Sequence, residues 1–146
     1  MIFILIAESS NGHSKRYAPE LPVAFQAAMQ TSTARLALHQ DVVFDTVKSN
    51  IGNAYMPASG TFVAPVAGIY VFHLSVFSDQ TIHCGIAVNG HAQTNAFAQH
   101  HSQGGTSLLV HLVKDDVASV TTVALANGVV YGDFFSSFSG FLLFQD

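Results

Sequence analysis

The chain has no tryptophan and a single cysteine, Cys84, among its 146 residues. One thiol cannot close an intrachain disulfide, so neither a disulfide framework nor a cysteine-rich zinc site can be built, and Cys84 reads as a small buried apolar residue. Charge is also scarce: Asp, Glu, Lys and Arg together make 10% of the chain, against roughly 25% in an average soluble domain. So few charged groups cover an exterior poorly, and a buried subunit interface accounts for the shortage. The five Lys and Arg residues form no run and the formal net charge is -4. That removes the basic footprint of a nucleic-acid binder.

Long apolar runs are missing as well. No segment approaches the ~20 uninterrupted apolar residues of a membrane span. Met1–Ala7 (MIFILIA) is apolar, but no basic residue precedes it and no small-residue cleavage pattern follows, so an export signal is not evident. No Gly-X-Y tract is present, so the chain brings no collagen stalk of its own. Catalytic signatures are equally absent: there is no Gly-x-Ser-x-Gly elbow, His-Glu-x-x-His helix, Gly-x-Gly-x-x-Gly turn or Walker loop. The expectation is a binding protein and not an enzyme.

What is present is hydrophobic, 49% of residues, and rich in β-formers. After an N-terminal lead-in over residues 1–20, polar from Glu8 to Arg16, a single domain is expected over 21–146. Val23, Phe25, Ala27 and Met29 alternate with Ala24, Gln26, Ala28 and Gln30, which favours a strand over a helix there. Gly68–Ser78, Ile82–Val88, Thr106–Val113, Ala118–Leu125 and Phe138–Phe144 are further strands, rich in Val, Phe, Tyr, Ile and Thr. Asn89-Gly90 and Asn127-Gly128 are tight hairpin signals. Short strands at this spacing argue for an all-β sandwich or barrel.

The strands divide into two kinds. Gly68–Ser78, Thr106–Val113 and Phe138–Phe144 are apolar on both faces and require burial on both. Ile82, Cys84, Ile86 and Val88 alternate with His83, Gly85, Ala87 and Asn89, the pattern of a strand half in water. One sheet is therefore expected to pack on its partner with one face and on neighbouring subunits with the other.

Phe44, Asn50, Tyr55, Phe62, Gly68, Tyr70 and Phe72 fall at the spacing of the most diagnostic segment of the C1q globular-head family, which the chain resembles. Pro22-Val23-Ala24-Phe25, Gly105-Thr106-Ser107-Leu108-Leu109 and Phe138-Ser139-Gly140-Phe141-Leu142-Leu143 extend the likeness over residues 21–146. The resemblance implies a ten-stranded jelly-roll β-sandwich shared with tumour-necrosis-factor-like ligands and assembled as a homotrimer. It makes Phe62, Tyr70 and Phe72 core residues, gives Gly68 a turn into a central strand, and lets Gly140 serve close backbone approach.

Two departures from the family stand out. Its usual Gly-Asp before a strand reads Asp115-Asp116. Several members hold calcium near the trimer apex with two aspartates, and those positions fall on Thr94 and Ser102, which lack the carboxylates calcium needs. Three histidines, His91, His100 and His101, cluster in sequence near that loop. Imidazoles from three subunits would suit a transition metal or a pH sensor. The plainer reading is solvated loop histidines. His73 and His111, on doubly apolar strands, read as satisfied core histidines, with an approach to the subunit interface as the alternative.

Any sugar site must work without tryptophan, which leaves Asn95, Gln99, His100, His101, Gln103 and Tyr131 as candidates beside their ordinary reading as surface turn residues. The resemblance implies a secreted, lectin-like pattern-recognition protein of innate immunity, binding microbial polysaccharide or envelope components through trimer loops. A cytokine-like ligand for a cell-surface receptor and a structural matrix head are the alternatives.

Overall fold

A computed structural model describes residues 4–6, 15–17, 21–124 and 128–146. Asn127 of the second hairpin signal and Leu125 of the fifth expected strand lie outside them. Within the expected lead-in, β1 (Ile4–Ile6) and β2 (Lys15–Tyr17) pair with each other as a separate two-stranded sheet.

Eleven further strands form two sheets: β3 (Ala24–Ala28), β4 (Thr46–Ile51), β5 (Tyr55–Met56), β6 (Thr61–Val63), β7 (Gly68–Ser78), β8 (Ile82–Val88), β9 (His91–Ala92), β10 (Ala96–Ala98), β11 (Ser102–Leu112), β12 (Val117–Thr122) and β13 (Ser137–Gln145). One sheet runs β11-β7-β13-β3-β4. The other runs β10-β8-β12-β6-β5, with β9 also on β8. Both are antiparallel throughout. Eleven strands stand where ten are expected because one edge is broken. β10 pairs with the Ile82–Cys84 end of β8 and β9 with its Ala87–Val88 end, while β12 occupies the opposite side.

Strand alternation places the core between the sheets. Tyr70, Phe72, Leu74 and Val76 of β7 point inward and are fully buried, as are Ile82, Cys84 and Ile86 of β8. Val23, Phe25, Ala27 and Met29 are also buried, so the alternation in that segment reports a true strand face. The centre is aromatic: Phe25 stacks on Tyr55 with centroids 4.6 Å apart and meets Phe138 edge-on at 5.1 Å, and Phe62 meets Phe72 edge-on at 5.3 Å. Offset and edge-to-face pairs of this kind add to the area term of burial.

Several local expectations resolve here. Asn89 and Gly90 both have positive φ, 50° and 81°, as a primed hairpin turn requires. Asp115 has φ of 74°, so an aspartate holds the left-handed conformation at the family's glycine position. Gly68 is the first residue of β7, directly after the bend at 65–67; a Cβ there would stand 2.1 Å from the Phe144 carbonyl oxygen. Gly140 makes room for rings and not for backbone, since its Cβ would stand 2.5 Å from Phe72 Cδ1.

Two side-chain expectations are overturned. The face of β8 expected in water has Gly85 and Ala87 buried, small residues over which neighbouring chain closes. His73 and His111 are not core histidines. They stand exposed on the outer face of the five-stranded sheet, His73 Nδ1 sharing a hydrogen bond with Ser107 Oγ at 2.9 Å and His111 Nε2 lying 2.9 Å from Asp146 Oδ2. Both belong to the opposite strand face from the core aromatics.

Candidate functional site: an aromatic and carboxylate cluster at one end of the sandwich

The outer face of the five-stranded sheet changes character along its length, and the register shows how. At one end Leu109, Val71, Phe141, Ala24 and Ile51 lie side by side across the five strands, with His111, Ile69 and Phe144 beyond them. Leu109 is 65% exposed, Ile51 53% and Phe144 51%. The next rows are small and polar: Ser107, His73, Ser139, Gln26 and Ser49, then Gly105, Ser75, Ser137 and Ala28. The far end holds Gln103 beside Phe77.

Around Phe77 the chain builds a cluster from three separate segments. Phe77 stacks on Phe135 at 4.9 Å, leans on Tyr131 at 5.6 Å and meets the His101 ring edge-on at 4.9 Å. Asp79, just past β7, ties the segments together: the Tyr131 hydroxyl donates to its Oδ2 and His101 Nδ1 to its Oδ1. An ionised carboxylate can only accept, so His101 carries its proton on Nδ1 in this contact. The hydrogen bond from Tyr131, then that from His101, holds the Asp79 carboxyl below the usual carboxylate range, and the same carboxylate raises the Tyr131 phenol. Gln103 Nε2 donates to the Phe135 carbonyl at 2.7 Å and to Ser75 Oγ at 2.6 Å.

Four of the eight non-glycine residues with positive φ among the described residues lie at the same place. His100 and His101 take consecutive positive φ values of 51° and 63°, and Asp133 and Phe134 take 51° and 62°. Left-handed backbone at non-glycine residues is costly and tends to mark functional loops. Both pairs border the cluster. Beyond it Phe134 is 49% and Phe135 50% exposed, and the Lys48 ammonium sits 3.8 Å from the Phe134 ring centroid.

Of the residues singled out from sequence, His101, Gln103 and Tyr131 come together, with His100 adjacent and exposed. Gln99 belongs to the supporting turn, where its backbone N–H and carbonyl both bond Ser102 Oγ. Asn95 is exposed in the link between β9 and β10, away from the cluster. His91 pairs with Val88 and lies at the other end of β8 from His100 and His101, about 20 Å away at the rise of an extended strand. The three histidines therefore do not meet within one chain, and no group of three His, Cys, Asp or Glu among the described residues is placed to hold a metal. Thr94 Oγ1 accepts from the Ile86 N–H at 3.0 Å, so this hydroxyl and that of Ser102 serve the loop's own backbone. Sequence reading missed Asp79, Phe77 and Phe135. The Phe134-Phe135 doublet in a loop was the available signal.

The C1q domain model matches residues 24–143. The chain belongs to the C1q domain family. Human complement C1q tumor necrosis factor-related protein 3 is 29% identical over 133 residues, covering 87% of this chain and 53% of the relative. The heavy metal-binding protein HIP of the mussel Mytilus edulis is 33% identical over 129 residues, covering 83% of this chain and 60% of the relative. The chain thus spans only about half to three-fifths of the length of these relatives. Among solved structures, the globular domain of zebrafish complement 1qA superposes with a TM-score of 0.71 at 16% identity, covering 86% of this chain and 99% of that one. Murine APRIL superposes with a TM-score of 0.65 at 14% identity, over 83% and 98%. At such identities these two matches establish the fold, an all-β jelly-roll-like sandwich. No helix among the described residues is long and apolar enough to cross a membrane.

Proposed function

We propose that this C1q-family domain is a secreted, non-enzymatic, lectin-like recognition head of innate immunity that acts as a homotrimer. In this reading the apolar rows through Leu109, Val71, Phe141 and Ile51 are the subunit contact, and the cluster around Asp79 meets microbial carbohydrate or envelope ligands. The observation that carries the reading is that Tyr131 and His101 both bond the Asp79 carboxylate and both pack on Phe77, which stacks on Phe135, whose carbonyl Gln103 holds. Flat aromatic faces beside a few polar groups are what a sugar ring requires: stacking for its C–H face, acceptors and donors for its hydroxyls. Three copies on one body would multiply a weak single-site affinity.

The test is a glycan and microbial-polysaccharide array probed with protein whose trimeric mass has been established by light scattering, with calcium and with chelator. Saturable, competable binding supports the reading. A blank array on a confirmed trimer moves the assignment to a ligand of a protein receptor. A metal role for His91, His100 and His101 requires donors from neighbouring copies. The Mytilus edulis relative is named a heavy metal-binding protein, which makes a heavy-metal titration of the trimer worthwhile, with loss of any binding in the His100→Ala, His101→Ala double variant or, separately, in His91→Ala as the expected result.

A further inference from the structure

The Asp79 cluster continues into a strip of rings, exposed at His101, Phe134 and Phe135 and half-buried at Phe77 and Tyr131, along which charge is arranged in a specific order. It runs from Lys48 over Phe134, through Phe135 and Phe77, to Tyr131, His101 and Asp79. At the first end the chain's own ammonium lies on an aromatic face. Such contacts are favourable because the ring quadrupole presents negative charge on its face. At the other end Phe135 stacks on Phe77 and is half exposed, and the Asp79 side chain is 42% exposed. Each Asp79 oxygen accepts one hydrogen bond from within the chain and retains acceptor capacity for another. The exposed Asp133 adds a second negative charge in the same loop as Tyr131 and Phe135. The charged groups nearby are thus Asp79 and Asp133 against Lys48, which is engaged on Phe134, and the titratable His100 and His101.

We propose that this end of the strip takes an amino sugar with a free ammonium group. The ammonium meets the Asp79 carboxylate while the sugar ring lies against Tyr131 and Phe135, as Lys48 lies on Phe134. The assignment rests on the lectin-like reading and narrows it. Acidic polysaccharides are disfavoured by the two carboxylates, and N-acetylated or neutral sugars lose the charge that Asp79 attracts.

The test compares a β-linked glucosamine polymer with free amines, its N-acetylated counterpart, a neutral glucose polymer and a uronate polymer on the intact trimer, with wild type and Asp79→Asn. Preference for the free-amine polymer, weakened by salt and reduced about two- to fivefold in Asp79→Asn, is expected from the loss of one exposed ion pair. Competition of the wild type by glucosamine but not by N-acetylglucosamine gives the same answer without a variant. Equal binding of the free-amine and neutral polymers, unchanged by Asp79→Asn, overturns the amino-sugar assignment and leaves the lectin-like reading standing. A panel blank throughout removes that reading, and the assignment with it.

Discussion

Asn50 closes on the backbone of Tyr55 twice: its Nδ2 donates to the Tyr55 carbonyl at 2.8 Å, and its Oδ1 accepts from the Tyr55 N–H at 3.1 Å. Tyr55 in turn donates its buried hydroxyl to the Phe44 carbonyl at 2.6 Å and stacks on Phe25. Three of the motif residues through which the chain resembles its family are therefore one staple, which fixes the path from β4 into β5 against the core. Burial raises the Tyr55 phenol far above its ordinary range, so it stays a donor at any working pH.

Asn50→Ala leaves both Tyr55 backbone groups without this partner, in a partly buried setting. A loss of about 1–3 kcal/mol is expected from such unsatisfied groups, read as a lowered denaturant midpoint with unchanged m-value. Phe62→Ala, which empties a site at the centre of the aromatic core, should cost more, about 3–5 kcal/mol.

A charge on the apolar end of the outer face tests the subunit contact. Leu109 is largely exposed in the single chain, so Leu109→Glu leaves the fold of one subunit intact but places an unpaired carboxylate in the proposed contact. Light scattering should report a folded monomer, with far-UV circular dichroism unchanged. A trimer that persists in Leu109→Glu and in Phe141→Glu would place the contact elsewhere.

Acid should loosen two carboxylate ties. Tyr131 and then His101 depress Asp79; Asn89 and the Val113 N–H depress Asp116. A carboxyl whose folded value is lowered adds stability above its unfolded value, near 4, and loses it as pH falls through the folded value. Melting temperature should fall as pH drops below about 4, less so in Asp79→Asn and Asp116→Asn. In a carboxyl-detected NMR titration, Tyr131→Phe should move Asp79 back toward the ordinary carboxylate range.

Cys84 is fully buried in β8, and burial pushes its thiol up to about 12. The thiolate is the reactive form, so a maleimide or disulfide reagent at pH 8 should leave the native protein unmodified and label it on unfolding. Rapid labelling of native protein would mean that β8 opens readily.

The fold was legible because strand burial has a period of two that sequence carries locally. The bounds of β7 and β8 coincide with the runs Gly68–Ser78 and Ile82–Val88, and Val23, Phe25, Ala27 and Met29 announce their buried face by alternation alone. Alternation says which residues share a face, but not whether that face is covered. His73 and His111 were therefore read as core although they stand outside.

The cluster was legible only in part. His101, Gln103 and Tyr131 are polar residues in loops and strand ends, which sequence can mark as candidates. Asp79 becomes the common partner of His101 and Tyr131, with Gln103 beside them, only because β11 pairs with β7 in the register that sets Gln103 against Phe77, and because the Tyr131 N–H bonds the Phe77 carbonyl at 2.9 Å. The same long-range pairings set His91 at the far end of β8 from the histidines it neighbours in sequence. Local periodicity determined the strands and the core of this protein. Which side chains meet at its surface was decided by strand register and loop closure, which join residues far apart in the chain and leave no periodic trace in it.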